Sequence, residues 1–387
     1  MNSTRRRRAG AGHGSGYAEG VTPPAGDRAL AHVRARAEAS RARAQARIAE
    51  LAEGAERVEA AVADLVSIGA RARVTLSFHP DRLLADGRTV AQAMLDDGRY
   101  MSQFETGLSN GSRTAFAGGE RDRWEERLFG GAYHEPPSEA HERPKYGALD
   151  VMEHADGGSP RFGSCYVVLR AEMNARCTFT WGDSHLGPEN VGTSDVFEPV
   201  LAAMLEAAEA RGEALAVRGS VADVVRRLSR PPGSSRRAPA SGAVGRALDD
   251  YIEAQVHGPI ELSRDVEALV LDPSFDGTEV GERLRELCDR HGIVRATHPG
   301  FVLAPHEVPS DFRGPRMPAL AERVARLARV SPSIPPAPPT IDAATIGRAA
   351  ASLQRDPAAW QDWATPDETL QHLKQLWHVL VRFGRPE

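Results

Sequence analysis

The sequence predicts an α+β protein with helical additions at both ends, and three observations carry that expectation. Short runs at Val74–Phe78, Ser164–Arg170, Arg176–Trp181 and Tyr251–His257 alternate apolar and polar residues with the period of a strand. Helix-period segments at Asp195–Arg211 and Glu279–Arg290 are interspersed among them. Helix-rich stretches flank the whole, at Asp27–Gly69 and Ile341–Phe383. The organisation is a disordered tail over 1–26, a helical arm over 27–70 and an α+β core over 71–330. A flexible insertion at 229–241, a Pro-rich linker at 331–340 and a helical segment at 341–387 complete it.

Composition narrows the function classes. The chain has 387 residues, 41% of them hydrophobic, which is enough to bury a substantial core. A formal net charge of -5 argues against a protein that coats nucleic acid, since phosphate binding needs a concentrated positive surface. Only Lys145 and Lys374 are lysines among 48 basic residues, an Arg excess that reflects codon usage and carries no functional weight. Cys165, Cys177 and Cys288 form no metal spacing and no disulfide framework, so a reducing cytoplasm is expected and no metal is. Arg5–Arg8 is followed by polar Gly-rich sequence instead of an apolar signal core, and no stretch reaches the apolar length of a membrane span.

Taken in order, 1–26 is Arg, Gly and Pro rich without periodicity. The arm after it has a thin apolar stripe (Leu30, Val33, Ile48, Leu51, Val58, Val62, Leu65), which suits a partly exposed helix pairing with another chain, so the helical segments offer a route to a homo-oligomer. Val74–Phe78 is a strand that meets His79-Pro80-Asp81-Arg82; Pro80 ends the ladder and places His79 and Arg82 at a strand mouth. Thr89 caps a helix that Gly98 closes. Tyr100–Gly111 is a loop rich in hydroxyls, amides and glycines, with Thr106 and Ser109 as candidate ligand contacts. Trp124–Phe129 is a short helix. The runs Ser164–Arg170 and Arg176–Trp181 read as a β-hairpin or two neighbouring strands. Asp195 caps the helix to Arg211, and Val221–Leu228 is another. A strand pair is expected near Ile293–Val302, and Leu370, Leu373, Leu376, Trp377 and Leu380 make the closing helix a docking element.

Candidate chemistry gathers on strand faces. Alternation puts Tyr251, Glu253, Gln255 and His257 on one side of their strand, and Thr178 and Thr180 on the side of theirs opposite Cys177, Phe179 and Trp181. A carboxylate in such a row can steady a developing cation or act as a base, while the amide fixes a polar substrate. The same pattern also describes the solvated face of an edge strand. Arg143-Pro144-Lys145-Tyr146 offers cations beside a Pro-fixed turn, suited to a diphosphate. Ser184, His257 and Asp272 could be assembled into a hydrolase triad, although Gly182-Asp183-Ser184 lacks the Gly-x-Ser-x-Gly elbow.

The motifs HPDR (79–82), QFETGLSNG (103–111), RPKYGALD (143–150), FGSC (162–165), TFTWGDS (178–184), YIEAQVHGPI (251–260) and LKQLWHVLVRFG (373–384) resemble those of an uncharacterised bacterial family known only as a domain of unknown function, over Val74–Glu387. More distantly, the order of elements resembles the ADP-ribosyltransferase fold, including domains attached to phage head-morphogenesis proteins. That resemblance implies a mixed or antiparallel sheet and NAD as a substrate. Glu253 would match the catalytic carboxylate and His79 the first-strand residue that holds the nicotinamide ribose. Thr178 and Thr180 would match the hydroxyl strand, or Tyr146 the tyrosine that stacks on nicotinamide. Arg82, Thr106, Ser109, Arg143 and Gln255 would complete the NAD contacts. The family's Ser-Thr-Ser run is missing, and its usual Glu-x-Glu or Gln-x-Glu order appears as Glu253-Ala254-Gln255. The expected function is ADP-ribosyl transfer to a macromolecular acceptor or NAD hydrolysis. A catalytically silent binding or assembly module and a hydrolase are the alternatives.

Overall fold

The computed structural model describes residues 22–52, 65–107, 115–134, 136–229, 248–328 and 339–386. Residues 1–21 of the expected tail, the 229–241 insertion apart from Ser229, most of the Pro-rich linker and Ser109 lie outside these residues; Ala25 and Gly26 at the end of that tail belong to the Ala25–Leu51 helix, so the helical arm starts two residues earlier than expected. Among the described residues twelve strands occur in chain order: β1 Arg73–Phe78, β2 Arg99–Tyr100, β3 Lys145–Asp150, β4 Cys165–Leu169, β5 Cys177–Trp181, β6 Val191–Thr193, β7 Glu213–Ala214, β8 Val217–Arg218, β9 Ile252–Val256, β10 Ile260–Glu261, β11 Val266–Leu271 and β12 Val294–Thr297. Eight of them form one sheet in the order β12-β11-β4-β1-β3-β9-β5-β6, antiparallel except for the β11–β12 pair. The protein is therefore mixed α/β, built on a mixed sheet with helices packed around it.

The two faces of the sheet differ in chemistry. One carries Val74, Leu76, Val167, Phe179, Ala254 and Leu269, which join the main core with residues of the Val90–Asp97, Glu198–Arg211 and Glu279–His291 helices. At about 25 cal/mol per Å2 of apolar surface removed from water, this face is the main source of stability. Registered pairs place Thr75, Ala148, Glu253, Gln255, Thr178 and Thr180 on the other face. A smaller cluster, from Ala25, Ala29, Val33, Trp124, Phe129 and Tyr133, roofs part of it, with Tyr146 packed beneath.

Several expectations are corrected. The hairpin does not form: β4 pairs with β1 and β11, β5 pairs with β9 and β6, and three strands lie between them. The 3-10 segment Ala171–Arg176 makes the crossing, anchored where Asn174 Nδ2 donates to the carbonyls of Gly69 (3.0 Å) and Ala72 (2.8 Å). Every residue of β4 is buried, so it needs a neighbour on each edge, and nearness in sequence could not supply both. The helix expected from Asp195 begins at Glu198, because Asp195 instead accepts from the Thr193 hydroxyl (2.8 Å) and pairs with Arg34. In place of Trp124–Phe129 the helix runs from Glu120 to Leu128, with Phe129 as its C-cap, and it buries Asp122 and Glu125. Of the expected pair near Ile293–Val302 only β12 joins the sheet; Val302 and Leu303 bridge instead to Arg385 and Ile341. A helix at Met317–Ala328 has no counterpart among the expected elements.

The ends are bound to the core. The Ala25–Leu51 helix buries Ala29, Val33, Ala37, Ala44 and Ile48, so small residues in the thin stripe let it approach the Glu198–Arg211 helix closely. Arg41 bonds Glu198 (2.7 Å), and Arg47 bonds Glu206 (3.0 Å) and Glu209 (2.7 Å) across that contact. At the other end Trp377 is wholly buried, and its indole N–H donates to the Pro160 carbonyl (2.9 Å). The segment before β4 runs close to β1: a Cβ on Gly163 would come 2.2 Å from the Phe78 nitrogen, so only glycine fits there. Thr89 accepts from Gln92 N and Gly98 is left-handed, as expected from the sequence.

Candidate functional site

The central feature of the polar face is a chain of hydrogen bonds that ends on Glu253. The Tyr133 hydroxyl lies 2.6 Å from His257 Nδ1, and His257 Nε2 lies 3.1 Å from Thr178 Oγ1. The Thr178 hydroxyl donates to Gln255 Oε1 (2.7 Å), and Gln255 Nε2 donates to Glu253 Oε1 (2.9 Å). Each hydroxyl and amide has one direction available, so the tautomer follows: His257 carries its proton on Nε2 and accepts from Tyr133 at Nδ1. Burial, then the charges of Arg176 and Lys145, push the imidazole down to about 3, which keeps it neutral as this order requires. The second amide hydrogen of Gln255 reaches Thr180 Oγ1 (3.3 Å), whose own hydroxyl donates to the Gly182 carbonyl (3.0 Å).

Glu253 is 7% exposed. Its second oxygen lies 3.0 Å from the Tyr251 hydroxyl, whose proton is shared with Asp183. Both oxygens therefore meet neutral donors, and among the described residues no basic side chain is within ion-pair distance. Burial pushes this carboxyl up, and the neighbouring Asp183 charge adds to the effect against the bonds it accepts. Asp183 itself is held by Arg161, which also reaches Asp249 and stacks over Phe162 (4.4 Å) and Tyr251 (5.4 Å).

A second buried carboxylate lies nearby. Glu125 is wholly buried on the Glu120–Leu128 helix, where it accepts from Tyr146 (2.8 Å) and Arg143 (3.0 Å), with Arg121 at 4.0 Å. Burial raises it to about 7 in spite of these cations. Arg143 also bonds Asp122 (2.6 Å) and stacks over Phe104 (4.4 Å), so its guanidinium is taken up inside the protein. Lys145 likewise donates to the carbonyls of Arg143 (2.9 Å) and Gly258 (3.1 Å), and burial pulls it down to about 8.

The sequence-derived residues thus separate into groups. Glu253, Gln255, Thr178 and Thr180 converge, and Tyr146 stands beside Gln255 across the β3–β9 pair. His79 does not join them. Its ring meets Trp377 edge-on at 5.2 Å and lies 3.4 Å from the Ser164 hydroxyl. Arg82 follows it into a buried pocket with Asp81. Thr106 ends the Gln103–Thr106 turn, which Ser102 and Glu105 cap reciprocally. The triad is not assembled: Ser184 neighbours Glu253, His257 serves Thr178 and Tyr133, and Asp272 stands near His298 (3.8 Å) beyond β11. Arg161, Asp183 and Glu125 were not anticipated. Asp183 has a local signal, as the polar residue just past the end of the Cys177–Trp181 strand. Arg161 and Glu125 carry no local signal.

Among the described residues no group of His, Cys, Asp and Glu is placed to hold a metal ion, and no helix is long and apolar enough to cross a membrane. Residues 73–383 match the family described as "Protein of unknown function (DUF3626)", and the chain belongs to that family. It is also similar to the "Gene 2 protein" of Mycobacterium phage D29, with 35% identity over 98 residues, which is 25% of this chain. The match spans about a third (34%) of the phage protein's length.

Proposed function

We propose that the chain is an NAD-consuming enzyme, an ADP-ribosyltransferase or NAD glycohydrolase, with Glu253 as its catalytic carboxylate. The observation that supports this most is electrostatic: an enclosed carboxylate is oriented by Tyr251 and Gln255 at both oxygens and has no basic side chain within ion-pair distance among the described residues. In the proposed reaction the bond between ribose C1 and the nicotinamide nitrogen breaks heterolytically. The electron pair leaves with nicotinamide, which becomes neutral, and positive charge develops on the ribose. A carboxylate without an internal counter-ion interacts with that charge more strongly in the transition state than in the ground state. Water, or a nucleophile of the acceptor, then bonds to C1 and releases its proton to Glu253 or to solvent.

The substrate in this reading approaches from the Gly182–Gly187 turn, which carries Asp183 and Ser184 beside Glu253. Both terminal glycines are left-handed (φ 71° and 70°), a conformation other residues adopt at a cost, so glycine shapes both ends of the turn. Arg143 has no part in holding the diphosphate, since Asp122 and Glu125 occupy it. The test is to incubate the purified chain with NAD labelled in the nicotinamide and follow free nicotinamide. Release that depends on Glu253 supports the proposal. Saturable NAD binding without turnover favours a silent binding module, and neither binding nor release ends the NAD reading.

A further inference from the structure

The strongest feature outside the Glu253 row is a set of basic side chains between the Pro366–Phe383 helix and the turn at Pro160–Phe162. The Trp377 bond to the Pro160 carbonyl pins the helix there. Lys374 and His378 are one turn apart and so share a helix face. Opposite them, Arg161 and Arg313 both reach Asp249, Arg313 at 3.8 Å.

Several of these groups lack partners. His378 is 5% exposed, and neither ring nitrogen makes a hydrogen bond. A neutral imidazole always presents one N–H and one lone pair, so this is a buried polar group without its complement. Arg313 Nε is also buried and unbonded. Among the described residues Lys374 has no hydrogen-bond or ion-pair partner, although it lies in the field of Arg161, Arg313 and Asp183. Arg313 holds φ at 61°, a conformation that costs a non-glycine residue about 1 kcal/mol or more and that clusters at functional sites. Asp183 and Asp249 are the facing carboxylates, and the Asp249 side chain is 68% exposed, free to turn away into water.

We propose that Arg161, Arg313, Lys374 and His378 form a binding site for a phosphate or diphosphate group. An anion there accepts from the Lys374 ammonium, the Arg313 Nε–H and an imidazole N–H of His378, and it displaces Asp249 from the two arginines. Arg161 also bonds Asp183, which shares the Tyr251 proton with Glu253, so the anion would lie one residue away from the carboxylate row. The field of Arg313, Lys374 and Arg161 helps burial hold His378 down at about 3, and a bound anion opposes that field. The site is independent of the NAD reading, since it requires no turnover and does not include Glu253.

The experiment is a titration of the full chain with sodium phosphate and, separately, sodium pyrophosphate, followed by calorimetry and by the ring proton signals of His378. Saturable binding that shifts the His378 signals is expected, and the tighter of the two anions identifies a monophosphate or a diphosphate site. Lys374→Gln should weaken binding by roughly tenfold, the worth of one charge-assisted hydrogen bond. Its melting temperature without anion should be unchanged, because Lys374 holds no internal partner. Lys374→Glu should remove saturable binding. The proposal is overturned if neither anion binds saturably, or if binding is indifferent to both Lys374 variants. An active Glu253 site with no anion binding would end this proposal alone, and anion binding without NAD cleavage would leave it standing.

Discussion

Glu125 and Glu253 are buried carboxylates on the same side of one sheet, and the difference between them lies in their partners. Glu125 meets a guanidinium at 3.0 Å, a second at 4.0 Å and a phenol. Glu253 meets a phenol and an amide, and the like charge of Asp183 acts on it. A cation already supplied by the fold makes a carboxylate part of the scaffold, since removing either partner strands the other. A carboxylate whose partners are neutral dipoles keeps its charge available to a ligand, at a cost in stability. By this argument the deeper and better-bonded residue is the structural one, and the residue held less favourably is the functional one.

The largest effect is expected where that comparison can be broken outright. Arg143→Ala removes the bonds to Asp122 and Glu125 and the stacking on Phe104, and should cost about 3–5 kcal/mol of stability by chemical denaturation. A loss below about 1 kcal/mol would return Arg143 to the role of ligand contact.

Glu253→Gln comes next. Turnover of NAD should fall roughly 100- to 1,000-fold, the effect of removing one preorganised electrostatic group, with binding retained. The melting temperature should hold or rise, because the variant no longer has a charge to bury. Glu125→Gln should lower it at about pH 5, because an amide N–H would then face the donor Arg143 or Tyr146. If both variants shift stability in the same direction, the distinction between the two carboxylates fails.

A third test uses pH. The Glu125 carboxyl is raised from 4.5 to about 7, so between those values the folded state binds more protons than the unfolded chain. Its contribution to stability is therefore fully present below about 4.5 and declines as pH rises to about 7. Asp81, raised by burial from 3.8 to about 6, acts with the same sign over its own range. Glu125→Gln should flatten the stability profile between about pH 6 and 7 and leave the Asp81 part below about pH 6. An unchanged profile would show that Glu125 does not titrate there.

The smallest effect is expected for Tyr146→Phe, which removes one donor to Glu125. It should cost about 1 kcal/mol and leave turnover within roughly threefold if the tyrosine serves the scaffold. A large fall in turnover with unchanged stability would move Tyr146 to the Glu253 side of the comparison.

The sequence by itself determined what short-range physics controls. Alternation in Tyr251–His257 and Arg176–Trp181 placed Glu253, Gln255, Thr178 and Thr180 on common strand faces, because successive side chains in a strand must point to opposite sides. Thr89 and Gly98 marked a helix because capping depends on neighbours within one turn. Tertiary structure alone decided which strands became neighbours. β4 and β5 follow one another in sequence yet have three strands between them, since pairing is chosen by the burial of both edges. It also decided the role of each charge. The sequence offers Arg143 as a phosphate contact, whereas a helix some 20 residues upstream brings Asp122 and Glu125 to it, and it offers His79 as a partner of Glu253, whereas the His79 ring packs against Trp377 beside the Ser164 hydroxyl. Whether a carboxylate finds a cation depends on long-range packing, which residue spacing does not encode.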